Sequence, residues 1–167
     1  MRVLDLGCGT GTLTLMAQEA HPGASFTGID GDARVLTVAV NKAPRSGITW
    51  ALGLASNLPF PDAYFDRVLT SLVMHHLDRD DKLRAFGEAR RVLIGEGQLN
   101  VLDFTAPWSA ITGLQATAMR RLERTDDNFA GRLPGFMAQA GFDPVEEVER
   151  FATVFGPVAI WRAQPGR

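Results

Sequence analysis

The chain has 167 residues, 46% hydrophobic and 22% charged, a balance that suits one globular domain and excludes a disordered or collagen-like chain. A net charge of −2 gives no overall basic footprint for nucleic acid, and the single cysteine, Cys8, excludes an internal disulfide framework or a multi-cysteine zinc site. No apolar run reaches the roughly 18 residues of a transmembrane helix, and the charged opening at Arg2 and Asp5 does not read as a signal peptide, so the expected location is the cytoplasm.

Residues 3–6 form a short apolar run ending in glycines, which predicts a buried strand. Leu13, Met16, Ala17 and Ala20 share one helical face, and His21-Pro22-Gly23 ends that helix. Residues 26–29 predict a second strand that stops at Asp30. Asp32 is placed to cap a helix running to about Val40, with Pro44 past its end. Residues 48–52 predict a third strand, and the prolines within 57–62 a loop. A fourth strand is expected over 65–74, then a helix over 80–93 capped by Asp78, then a fifth strand over 99–104. Beyond Pro107, helices are expected around 111–122 and 128–140, the second ended by Gly141. Residues 145–155 and 158–163 close the chain as an antiparallel hairpin, because Gly156-Pro157 is too short for a parallel crossover. The expected fold class is α/β: a doubly wound, mostly parallel seven-stranded sheet with an antiparallel C-terminal hairpin, one domain over 1–167.

The sharpest local feature is the run Leu6-Gly7-Cys8-Gly9-Thr10-Gly11-Thr12, a strand entering a helix through three alternating glycines. Absent side chains let a ligand lie against backbone, and the helix start offers N–H donors and a positive dipole end. In an open α/β sheet, ligands bind beyond the carboxyl ends of the strands. Asp30 follows Gly11 by 19 residues and ends the second strand, where a carboxylate can accept from both hydroxyls of a ribose. The ensemble implies an adenosine-type ligand. Because Thr12 stands where GxGxxG has its last glycine, the pattern does not by itself decide between a dinucleotide and another nucleoside.

Four stretches, in order over nearly the whole chain, are similar to one family, the type 11 group of class I S-adenosylmethionine-dependent methyltransferases, which contains the ubiquinone and menaquinone C-methyltransferases. Residues 3–12 resemble VLDxGCGTG, and Phe26-Thr27-Gly28-Ile29-Asp30 resembles VxGxD. Residues 58–66 resemble LPFPDxSFD and lead to Met74-His75-His76-Leu77, while 91–99 resemble RVLKPGGxL. Gln139-Ala140-Gly141-Phe142 matches the family's AGF before its last strands. The resemblance implies a Rossmann-like methyltransferase fold and S-adenosylmethionine as cofactor, leaving as S-adenosylhomocysteine. It implies that Asp5, Gly7 and Gly9 hold the methionine part, that Asp30 takes the ribose, and that Gly31 lies near adenine. Cys8, Gly11 and Ser71 complete the expected cofactor set. At position 54, where the family usually has an acid reading the adenine amino group, this chain has Leu54; Ala55 keeps an N–H for adenine and Leu54 an apolar surface for its ring. The family's helices before the first strand have no counterpart here, so the resemblance implies a domain lacking them and a cleft open on that side.

The cofactor brings its own reactivity, so the protein mainly positions. His75 and His76 follow the fourth strand at the cofactor end and are the candidates for taking a proton from an acceptor; the alternative is one capping and one packing role. Asp103 is either a site acid or a hydrogen-bonded structural one, and Phe104, Pro107 and Trp108 are either a pocket wall or core. Arg120, Arg121 and Arg124 read as a solvated face before a phosphate or anionic-lipid contact. Cys8, although near a helix N-terminus that lowers thiol pKa, reads as a packing residue. The expected partners are a small-molecule or lipid-like acceptor and a possible homodimer, with no nucleic acid, no transmembrane segment and no metal. A nicotinamide-dinucleotide oxidoreductase and a non-catalytic cofactor-binding module are the alternative functions.

Overall fold

The computed structural model describes residues 1–119 and 125–166. Five strands come first: β1 (Arg2–Leu6), β2 (Ser25–Asp30), β3 (Thr49–Leu52), β4 (Phe65–Ser71) and β5 (Leu93–Phe104). Between them lie α1 (Thr12–Ala20), α2 (Ala33–Lys42) and α3 (Arg79–Val92). After β5 come α4 (Ala110–Met119), α5 (Asp126–Phe129) and α6 (Leu133–Gln139), then β6 (Phe142–Thr153) and β7 (Gly156–Pro165). One sheet takes the order β3-β2-β1-β4-β5-β7-β6. The first five strands run parallel, and β7 pairs antiparallel to both β5 and β6. The expected hairpin is present, but it turns at Val154-Phe155, with Gly156-Pro157 already paired within its second strand. That strand is inserted beside β5, so the one reversed strand sits inside the edge rather than at it.

Local chemistry sets the boundaries. Asp32 caps α2 by accepting from the Arg34 N–H at 2.8 Å, and Asp78 caps α3 by accepting from the Asp81 N–H at 2.8 Å. The fourth strand ends three residues short of the expected 65–74: Leu72 takes the left-handed region at φ 55°, and Met74–His76 form a 3-10 turn. The fifth strand begins at Leu93 instead of 99, because the buried Leu93 already pairs with Phe65 before a register shift. The single helix expected over 128–140 is two, α5 and α6, divided at Gly131 with φ 69° and restarted at Leu133 with Pro134 in the first turn.

The main core lies between the sheet and α3 with α6, and includes Leu4, Val68, Phe86, Leu99, Met137 and Trp161. On the opposite face Val3, Phe26 and Ile48 pack under α1 and α2 with Leu15 and Trp50. Over β4, β5 and β7 that second face is thinner: Leu69, Leu102 and Ile160 floor a groove of about 220 Å³ beside Leu13. Among the described residues no helix is long and apolar enough to cross a membrane.

Candidate active site

β2 and β4 leave β1 on opposite sides, so the carboxyl ends of these strands meet at the point where the strand order reverses. The glycine turn closes this point. The N–H groups of Gly7 and Cys8 both donate to the Ile29 carbonyl, at 2.8 and 3.0 Å, and the Gly11 N–H donates to the Cys8 carbonyl at 2.9 Å. The Gly9 N–H donates to Asp30 Oδ2 at 2.8 Å, and the Asp32 N–H to Asp30 Oδ1 at 2.9 Å. These four amides of the turn are spent on the protein itself. The turn therefore presents a closely approachable surface rather than a ring of free anion donors.

The three glycines are small for different reasons. A Cβ at Gly7 would lie 2.4 Å from the Val73 side chain, and one at Gly11 2.5 Å from the Trp50 ring, so both are packing requirements. A Cβ at Gly9 would meet nothing within 4 Å. Gly9 is the one whose missing side chain leaves open space at the cleft.

The cleft has a volume of about 440 Å³, within the usual range for a small-molecule site. It brings together Gly7, Cys8, Gly9, Asp30, Gly31, Leu54, Ala55 and Ser71, and it takes His76 from the 3-10 turn. Leu72, Val73 and Leu77 complete its wall. Leu72 and Val73 carry no motif, and Leu77 only ends the Met74–Leu77 stretch; the place of all three follows from the early end of β4, which the sequence does not mark. Asp30 is the only carboxylate in the lining, and no lysine or arginine lines it.

Asp5, Gly11 and His75 are not in the lining. Asp5 is buried under the turn, where the Thr14 hydroxyl donates to its Oδ2 at 2.5 Å. Burial raises its carboxyl to about 6, against the opposing Thr14 bond and with a further push from the charge of Asp30. Burial likewise pushes the Cys8 thiol up to about 12, with Asp5 and Asp30 adding to it, so the helix N-terminus does not activate this cysteine.

The two histidines part company. His75 is buried with Nδ1 3.0 Å from Asp103 Oδ1, its ring edge-on to Phe104. Asp103 is fully buried and also accepts from the N–H groups of Met74 and Phe104 and from Asn128 Nδ2. It is thus the hydrogen-bonded structural acid of the two readings, and His75 belongs to its cluster. His76 packs against His75 with ring centroids 4.0 Å apart and faces the cleft. Phe104 is core beside Phe129 and Val158, whereas Pro107 and Trp108 are exposed. Arg120, Arg121 and Arg124 lie outside the described residues. Among the described residues no cluster of ligating side chains fits a metal ion.

Residues 3–97 match the family described as Methyltransferase domain. A demethylmenaquinone methyltransferase of Thermus thermophilus is 39% identical over 115 residues, covering 68% of this chain and 51% of that protein. A ubiquinone/menaquinone biosynthesis C-methyltransferase, UbiE, of Bordetella avium is 37% identical over 108 residues, covering 63% of this chain and 41% of its own. The chain thus spans about half the length, or less, of these relatives. A solved S-adenosylmethionine-dependent methyltransferase of Methanosarcina mazei shares the fold, with a TM-score of 0.80 at 20% identity over 99% of this chain and 92% of the other.

Proposed function

We propose a methyl-transfer function on one premise: the chain belongs to the methyltransferase domain family. The reaction is S-adenosylmethionine-dependent methylation of a small or lipid-like acceptor, with a quinone-type ring as the leading class, by similarity to the relatives' names. The observation that carries the reading is the charge of the cleft. Its one ionic lining group is the Asp30 carboxylate, the Gly9 N–H is committed to that carboxylate, and no cation lines the wall. The Gly7, Cys8, Gly9 and Gly11 amides are committed and no lysine or arginine lines the cleft, so a pyrophosphate would find no counter-ion there, whereas a sulfonium cation meets a favourable field. This separates the reading from a nicotinamide-dinucleotide oxidoreductase.

The residues fit the cofactor. Asp30 uses one bond on each oxygen within the protein and keeps acceptor capacity for two ribose hydroxyls. Gly31, Leu54 and Ala55 form the mostly apolar wall for the nucleobase, which Leu54 packs without reading its amino group. Gly7, Cys8 and Gly9 give the methionine part a bare backbone floor, and Asp5 acts on it from below by charge alone. Bound in this way, S-adenosylmethionine supplies a methyl group already activated for displacement. Leu72, Val73 and Leu77 exclude water on the acceptor side, and Ser71 offers a hydroxyl at the rim. Of the two histidines proposed for proton transfer, His76 holds the position to accept one from an acceptor, and His75 orients it. The protein works in the cytoplasm, without nucleic acid, and a homodimer is the assembly to look for by small-angle scattering.

Thermal shift against S-adenosylhomocysteine, NAD and NADP tests the reading. Stabilisation by the first alone is expected; stabilisation by a dinucleotide alone overturns it. Transfer of label from S-adenosylmethionine to a demethylmenaquinone-type naphthoquinol then distinguishes an enzyme from a binding module.

A further inference from the structure

Beyond Asp30 the cleft wall is shaped by two backbone bonds. The Gly53 N–H donates to the Asp30 carbonyl at 3.0 Å, which ties the end of β3 to the end of β2. The Asn57 N–H donates to the Leu54 carbonyl at 3.1 Å and closes a tight turn over 54–57. Between these bonds Leu54 stands on the cleft wall, 63% exposed. Its side chain lies across Gly31, where a Cβ would come 3.1 Å from Leu54 Cδ2. A leucine exposed in this way beside the ribose acid is an apolar face left uncovered for a ligand ring. The wall at this end is Gly31, Gly53, Leu54 and Ala55, and none of their side chains carries nitrogen or oxygen. Asp30 is the only carboxylate in the lining, and its two oxygens already accept from the Gly9 and Asp32 amides.

We infer that Leu54 sets the nucleobase specificity of this site: the base is recognised as a flat apolar ring, and the exocyclic amine of adenine contributes nothing to affinity. The inference rests on the cleft being the S-adenosylmethionine site, as proposed above. A side-chain carboxylate or amide at position 54 would accept from that amine, whereas leucine offers it van der Waals contact alone. Because Leu54 is largely exposed, the amine at this rim keeps its water, so it neither gains a bond from the protein nor loses one to solvent. Recognition then falls on the ribose, through Asp30, and on the fit of the remaining molecule to the bare backbone of the glycine turn. The class of ligand that the site should accept is therefore wider than adenosyl compounds. It includes purine nucleoside thioethers that lack the 6-amino group.

Calorimetry on the full chain compares S-adenosylhomocysteine with its 6-unsubstituted purine analogue, in which hydrogen replaces the amine. The analogue keeps the ring nitrogens and the ribose, so the amine alone is tested. The wild-type chain is expected to bind the two within about threefold of each other. Leu54→Asp should prefer S-adenosylhomocysteine by at least about tenfold, the usual weight of one charge-assisted hydrogen bond. Leu54→Ala should weaken both ligands alike, by at least about threefold, through lost apolar contact. Each preference is a ratio taken within one protein, so an effect on folding cancels from it. A larger wild-type preference for the amine overturns the proposal. So does a Leu54→Asp variant that binds the two ligands equally, or a Leu54→Ala variant with unchanged affinities. Failure of the wild-type chain to bind either ligand is a different result: it overturns the methyl-transfer reading itself, and with it the premise of this inference.

Discussion

At the scale of single residues, Asp30 and Asp5 are two carboxylates with opposite assignments. Asp30 is half-buried and faces the cleft, while Asp5 is sealed beneath it. Asp30→Ala removes the acceptors for two ribose hydroxyls, each charge-assisted bond being worth roughly 1.5–3 kcal/mol. S-adenosylhomocysteine affinity should fall at least tenfold by calorimetry; unchanged affinity in a folded variant would sink the assignment. Asp30→Asn, which keeps one acceptor, should lose less. For Asp5 the readout is stability against pH. Its folded carboxyl titrates near 6, above its ordinary value, so the folded state binds the proton more tightly than the unfolded chain. Its contribution is therefore fully present in acid and is lost as the pH rises through 6. Asp5→Asn should gain stability relative to the wild type between about pH 4 and 7, by something on the order of 3 kcal/mol. A difference in urea midpoints that is the same at both ends of that range would contradict the burial of this charge. Residue spacing made Asp30 legible, since a strand-end acid after a glycine turn has few other uses, whereas Asp5 was marked only by the family resemblance. Spacing did not separate His75 from His76, because both enter the 3-10 turn and which of them meets Asp103 depends on a contact across 28 residues.

The glycine turn, at the scale of elements, divides by what surrounds each position. Gly9→Val adds atoms in open space at φ 52°, a left-handed conformation costing roughly 1–2 kcal/mol for an L-residue, so the protein should fold and fail to bind. Gly11→Ala places a methyl against Trp50 and Ala39 at φ 74° and should instead cost stability. Urea denaturation and calorimetry on the two variants should give opposite patterns. Retained binding in Gly9→Val would move the cofactor elsewhere. The motif marked all three glycines alike because the neighbours that tell them apart, Val73 and Trp50, lie in other strands and loops. Element type was legible for the same reason the glycines were: apolar runs alternate with helical faces. Boundaries were less so. The end of β4 is set by a left-handed leucine, and the start of β5 by a pairing across the sheet, neither of which has a local signature.

For the whole molecule, the question is whether the segment shared with the family stands alone. Residues 3–97 match it, yet the core does not stop there. Leu4, Val68 and Phe86 from that part share one cluster with Leu99, Met137, Phe142 and Trp161 from the rest. β7 threads between β5 and β6, so the last strand of the chain covers the edge that β5 would otherwise expose. The two parts should unfold as one. The chain carries its own reporters, because Trp50 lies in β3 at one edge of the sheet and the buried Trp161 in β7, next to the other edge. With Trp108 replaced, a Trp50→Phe variant and a Trp161→Phe variant should each show a single urea transition by fluorescence, coincident with the loss of helical circular dichroism of the same variant. Trp161→Ala should lower stability by about 3–5 kcal/mol, the usual cost of truncating a buried tryptophan, and should abolish cofactor binding only by unfolding the chain. A chain ending at Gly97 should neither fold nor bind S-adenosylhomocysteine. Separate transitions for the two reporters would mean that the C-terminal hairpin is an independent unit, and the cleft would then owe its shape to the first part alone.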